Sequence, residues 1–220
     1  MLTEVGKNAK AAARVLAAAT TDEKNAALLK IADALEQNCA AILAANGADM
    51  AAGREKAMTA ALLDRLLLDG SRVKGMADGV RQVAALPDPV GRILSDELRP
   101  NGLRLVKTAV PIGVIAVIYE ARPNVTADSA VLCLKSGNAC ILRGGKEAIH
   151  SSAAIAEVMR NALAGTALPA DCIQLITDTT HESATELMHL NGYVDVLIPR
   201  GSKRLIAAAV QNSTVPVIQT

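Results

Sequence analysis

The feature that most restricts this chain is a change of rhythm at Pro111. From there on, short runs of aliphatic and β-branched residues alternate with stretches of helical spacing. The runs are "IGVIAVIYE", "ACILR", "CIQLI", "VDVLI" and "VPVIQ". They are apolar from end to end, which suits strands buried on both faces. Such strands alternating with helices imply a parallel sheet covered on both sides. The expectation is a doubly wound, Rossmann-like α/β domain of about five parallel strands over residues 111–220. Between the strands, "VTADSAVLCLKSG" reads as a helix closed by Gly137. Residues 147–163 follow with Ile149, Ala153, Ala156 and Leu163 on one face and Gly165 as the stop. "DTTHESATELMHL" is capped by Asp178 or a following Thr, and "SKRLIAAAV" is the last helix.

Residues 1–86 have a different character. They are rich in Ala, Leu, Lys and Glu and read as helices packed on the later domain. Thr21 or Asp22 is the expected N-cap of "TTDEKNAALLKIADALEQN", with Ala27, Ile31, Ala34 and Leu35 on one face. Gly47 is a weak point in the next helix, and a break is expected near Asp69–Ser71. No a/d heptad persists, so a long coiled coil is excluded. Residues 87–110 form the third region. Two β-prone arms flank Pro100–Asn101–Gly102, and Asn-Gly is a strong hairpin dipeptide. The ribbon is either a solvated hairpin or an arm that pairs subunits; its charged decoration leans to the first.

Half of the residues are apolar, 51% of the 220, enough for a sizeable core. The formal net charge of +1 argues against a general nucleic-acid or membrane-surface binder. With no Trp, no Phe and two Tyr, a stacking platform for single strands is excluded too. Charges come too early at the N-terminus for a signal peptide, and no apolar run approaches the ~20 residues of a membrane span. Cys39, Cys133, Cys140 and Cys172 form neither a CxxC pair nor a metal spacing. They read as reduced thiols in a cytoplasmic protein. His150, His181 and His189 form no metal set either.

In an open parallel sheet, ligands sit at the carboxyl ends of strands. Three ends stand out: Tyr119–Asn124, Arg143–Lys146 and Pro199–Lys203. The last two share a pattern of apolar strand, Arg, Gly, a small residue, Lys and helix. Glycine lets backbone approach a ligand, a helix start offers free N–H groups, and the cations add charge. Arg143, Gly144, Gly145 and Lys146, and Arg200, Gly201 and Ser202, therefore suit phosphate, although neither the P-loop nor the G-x-G-x-x-G pattern is present. Asn124 is an N-cap by position, or an amide donor to an oxyanion. Glu120 beside Arg122 is a candidate base, more simply an ion pair.

The stretch "VPIGVIAVIYEARPNVTADSAVLCLKSGNACILRGGKEAIHSS", with "LPADCIQLI" and "YVDVLIPRGSKRLI" after it in order, resembles the gamma-glutamyl phosphate reductases. These are a branch of the aldehyde dehydrogenase superfamily. The resemblance runs along the whole chain. It implies NADPH-dependent reduction of L-glutamyl 5-phosphate to L-glutamate 5-semialdehyde with release of phosphate, in proline biosynthesis. Asn124 then matches the amide that stabilises the oxyanion. Arg143 and Lys146 match the residues around the adenosine ribose, where two cations favour NADP(H). Gly201 and Ser202, with Arg200 beside them, match the pair near the pyrophosphate, and Arg122 becomes a substrate-side cation. The hairpin matches an oligomerisation arm, so a homo-oligomer is expected, with glutamate kinase as an upstream partner. None of the four cysteines falls at the nucleophile's position. The chain is therefore expected to be the cofactor-binding portion and inactive alone. A stand-alone nucleotide- or phosphate-binding module is the competing reading.

Overall fold

The computed structural model describes residues 2–219. Five helices come first: α1 (Leu2–Ala17), α2 (Thr21–Gln37), α3 (Cys39–Glu55), α4 (Ala60–Leu66) and α5 (Gly70–Ala85). An antiparallel ribbon follows, β1 (Ile93–Leu98) and β2 (Arg104–Thr108). The alternating region then gives β3 (Val114–Tyr119), α6 (Asn124–Lys135), β4 (Ala139–Arg143), α7 (Ile149–Leu163), β5 (Ile173–Leu175), α8 (His181–Met188), β6 (Val196–Arg200) and α9 (Lys203–Asn212).

The main sheet is parallel, with spatial order β5-β4-β3-β6. Among the described residues it has four strands, not five. At the expected fifth strand a single parallel bridge joins Val217 to Leu197, and no ladder forms. Successive side chains of β3 face opposite ways. Ile115, Val117 and Tyr119 pack with α2, α5, α6 and α7, whereas Val114, Ala116 and Ile118 pack with α1, α8 and α9. Both faces are thus covered, which is why the strand is apolar throughout. The chain steps outward from β3 to β4 to β5, then returns to place β6 on the other side of β3. The reversal lies between β3 and β6, and a doubly wound sheet opens its ligand crevice at such a point.

Local details correct several expectations. The N-cap of α2 is Thr20, not Thr21 or Asp22. Its hydroxyl accepts from Glu23 N–H at 3.2 Å while the Glu23 carboxylate accepts from Thr20 N–H at 2.7 Å. The Thr-x-x-Glu spacing selects Thr20, since only there does the Glu fall at the third helical position. Gly47 does not interrupt α3. The inner face of α7 carries Ser151, Ser152, Ile155, Ala156, Met159 and Leu163, one step round from the expected one. Asp69 caps α5, Thr180 caps α8, and Gly137 takes a φ of +77° just past α6. In the ribbon turn the Asn101 side chain accepts from Leu103 N–H, and Gly102 has a φ of +87°. All but one residue of β1 and β2 are exposed.

Candidate functional site

A pocket of about 460 Å³ opens at the sheet's carboxyl end, where β3 and β6 part. Tyr119–Arg122 and Arg200–Ser202 line it, and Arg65 of α4 belongs to the lining too. A second pocket of about 380 Å³ shares Arg65 and Arg122 and adds Asn124 and Asp128. Three arginines, Arg65, Arg122 and Arg200, therefore surround the first pocket. Among the described residues no ion pair holds any of them. Such a setting attracts an anion. Arg65 has no signal in the sequence: "ALLDRL" reads as an ordinary exposed helix.

Glu120 does not pair with Arg122. It crosses to β6's turn, where its carboxylate accepts from Ser202 N–H at 2.8 Å and from the Ser202 hydroxyl at 2.7 Å. Ser202 is itself the N-cap of α9, accepting from Leu205 N–H. Gly201 makes the approach possible. A Cβ there would lie 2.8 Å from the Glu120 carboxyl carbon. Arg200 ends β6 beside them, level with Tyr119.

The turn after β4 lies next to this crevice, since a Cβ on Gly145 would stand 3.3 Å from the Ala121 amide nitrogen. Gly144 rests on the buried Tyr119 ring, with its Cβ position 3.2 Å from a ring carbon. The Tyr119 hydroxyl shares a hydrogen bond of 2.7 Å with Thr126, and burial pushes its phenol up to about 12. Arg143 is half-buried and donates through Nη2 to the carbonyls of Thr179 and Thr180, both at 2.8 Å. Burial holds its proton affinity below the usual arginine range, against the opposing pull of Asp178 and Glu147. Its Nε is buried without a partner. Lys146 is exposed, in a single 3₁₀ turn, Lys146–Ala148, that precedes α7.

Two N–H groups at the N-terminus of α7 are taken up from within the chain. Asp49 of α3, 2% exposed, accepts from His150 N–H at 3.2 Å, Ser151 N–H at 2.8 Å and the Ser151 hydroxyl at 2.5 Å. Asn46, one turn earlier on α3, donates to Ser151 Oγ and Leu66 O and accepts from Leu68 N–H. A buried carboxylate thus completes this helix start from within.

Asn124 is not an N-cap. Pro123 occupies that place, and Asn124 is the first residue of α6. Its amide donates to Asp128, one turn on, at 2.9 Å. Burial raises the Asp128 carboxyl above its usual range, against the Asn124 hydrogen bond and the Arg200 charge. An amide nitrogen carries two hydrogens, so one N–H of Asn124 is fixed by Asp128 and the other is left to point elsewhere.

The cysteines do not reach the pocket lining. Cys133, Cys140 and Cys172 are buried. The Cys133 contact and burial hold the Cys140 thiol well above its ordinary range, and burial pushes Cys172 to about 12.

A family model described as the aldehyde dehydrogenase family matches residues 2–217. A gamma-glutamyl phosphate reductase from Moorella thermoacetica is 54% identical over 215 residues, covering 98% of this chain and 51% of that protein. Among solved structures, the gamma-glutamyl phosphate reductase of Thermotoga maritima superposes with a TM-score of 0.98 at 41% identity, over 100% of this chain and 53% of its own. The Saccharomyces cerevisiae protein of the same name gives 0.90 at 34% identity, over 98% and 55%. The chain thus spans about half the length of the relatives it matches.

Proposed function

The chain belongs to the aldehyde dehydrogenase family, a family of oxidoreductases, and on that premise we propose that it is the cofactor-binding portion of a gamma-glutamyl phosphate reductase. The reaction is reduction of L-glutamyl 5-phosphate to L-glutamate 5-semialdehyde with release of phosphate, in proline biosynthesis. One observation supports this above the others: the arginine-rich pocket stands at the topological switch point, with Gly201 and Ser202 on one rim and Asn124 close by.

The residues fit a dinucleotide. At Gly201 the side chain nearest the missing Cβ is Glu120, and Ser202 offers N–H and hydroxyl donors there. We assign the pyrophosphate to these groups. Arg143, held by two carbonyls yet with an unpartnered Nε, and Lys146 are assigned to the adenosine end, with Gly144 and Gly145 keeping the backbone low between them. Two cations and no carboxylate at position 146 favour NADP(H) over NAD(H). When bound, the cofactor supplies the hydride. The free N–H of Asn124, aimed by Asp128, steadies negative charge on the reacting carbonyl oxygen. Arg122 attracts the substrate's phosphate.

The nucleophile is assigned to a cysteine other than these four: none of them lines either pocket, and the buried Cys140 and Cys172 thiols, both pushed up, remain protonated. On this reading the 220 residues alone have no reductase activity. The apolar residues of the ribbon, with Leu98 at 75% exposure, support its role as an arm between subunits of a homo-oligomer. Glutamate kinase, the source of the acyl phosphate, is the proposed upstream partner. Among the described residues no helix is long and apolar enough to cross a membrane, and a cytoplasmic location fits the free thiols.

Titration with NADPH and NADH, followed by nucleotide fluorescence, measures the preference. NADPH binds more tightly, and replacing Arg143 and Lys146 by Ala erodes the ratio. An unchanged ratio in the double variant removes the assignment of these cations to the 2′-phosphate.

A further inference from the structure

We propose that the Glu120 carboxylate is an internal anion that fills the N-terminus of α9 until the dinucleotide displaces it. This rests on the reading of Gly201 and Ser202 as the pyrophosphate seat. Both donors assigned to the pyrophosphate are engaged by Glu120: Ser202 N–H by one carboxylate oxygen and the Ser202 hydroxyl by the other. The carboxyl group also occupies the volume above Gly201 that a phosphate would need. A carboxylate and a bridging phosphate each present one negative charge on paired oxygens, so one imitates the other.

The contact is built to exchange. Glu120 and Ser202 are both exposed, and the two bonds go to a single residue. The carboxylate at α7's start is the opposite case, buried and bonded through two residues. Released, Glu120 has a destination. Arg65, Arg122 and Arg200 line the same pocket, so the displaced charge stays within reach of cations. Glu120 thereby keeps the helix start satisfied without ligand and lowers the apparent affinity for the dinucleotide by the fraction of molecules it occupies.

The experiment is an NADPH titration of this chain and of Glu120→Gln, with Glu120→Ala as the second variant and thermal melting to verify folding. The amide resonance of Ser202 is followed in parallel. NADPH binds about two- to fivefold tighter to both variants, the size expected for removing one exposed charge at a helix start. In addition, Glu120→Gln alone moves the Ser202 amide upfield as its anionic acceptor is lost, and NADPH returns it downfield in that variant. Unchanged or weaker binding by the variants overturns the proposal and leaves the cofactor site standing. If neither the chain nor its variants bind NADPH at millimolar concentration, the cofactor reading itself fails, and this inference with it.

Discussion

Two turns of this molecule look alike in sequence and differ in what completes them. Arg143-Gly-Gly-Lys leads into α7 and Arg200-Gly-Ser-Lys into α9. Each helix start accepts a carboxylate from elsewhere in the chain. At α7 it is Asp49, buried and backed by Asn46. At α9 it is Glu120, exposed and facing the pocket. A short motif therefore does not determine whether a helix dipole is available to a ligand. A distant side chain does, and its burial decides whether the arrangement is permanent or exchangeable.

The sharpest way to break this contrast is Asp49→Ala. It leaves the buried N–H and hydroxyl of Ser151 and the part-buried N–H of His150 without their acceptor and is expected to cost about 3–5 kcal/mol, read as a lower urea midpoint. A loss below about 1 kcal/mol would make the two turns equivalent. High pH comes next. The Tyr119 phenol under Gly144 and the Cys172 thiol are both pushed up to about 12. In the unfolded chain they ionise at ordinary values, so across roughly pH 9–12 the unfolded state binds fewer protons and stability falls as pH rises. By pH 11 the loss should reach about 2–4 kcal/mol; a flat denaturation midpoint from pH 8 to 11 would contradict the burial of these groups. Gly144→Ala should cost about 1–3 kcal/mol through overpacking on the Tyr119 ring. Glu120→Ala completes the series with a change within about 1 kcal/mol in either direction. A larger loss there would mean that Glu120 is as structural as Asp49.

Much of the fold is legible in the sequence because both faces of the sheet are buried. "ACILR" matches β4 residue for residue, bounded by Asn138 and Gly144. The last strand is over-read because a β-branched run is necessary for a ladder but not sufficient; Val217 makes one bridge only. Thr20 is legible in hindsight from the Glu three residues on. At Asn124 the preceding proline takes the cap position, which helical spacing does not reveal. The strand-end turns are visible as glycine between cations. Asp49, Arg65 and the partner of Glu120 are not, because each contact joins segments far apart in the chain and no local pattern encodes it.

The first helix also has a distant partner. Lys10 of α1 grips Asp195 at 2.7 Å across 185 residues, and Leu2 N–H reaches Glu186. Gly6 lies so close to Tyr193 that a Cβ would come within 2.8 Å of its side chain. During synthesis α1 is made before the sheet it packs on, and the part of that surface carrying Asp195 arrives 185 residues after Lys10. At roughly 5–20 residues per second, that is a wait of about 10–40 s. For part of that interval the apolar face of α1 waits for β3 and β4 to cover it, a natural point for a chaperone to act on the nascent chain.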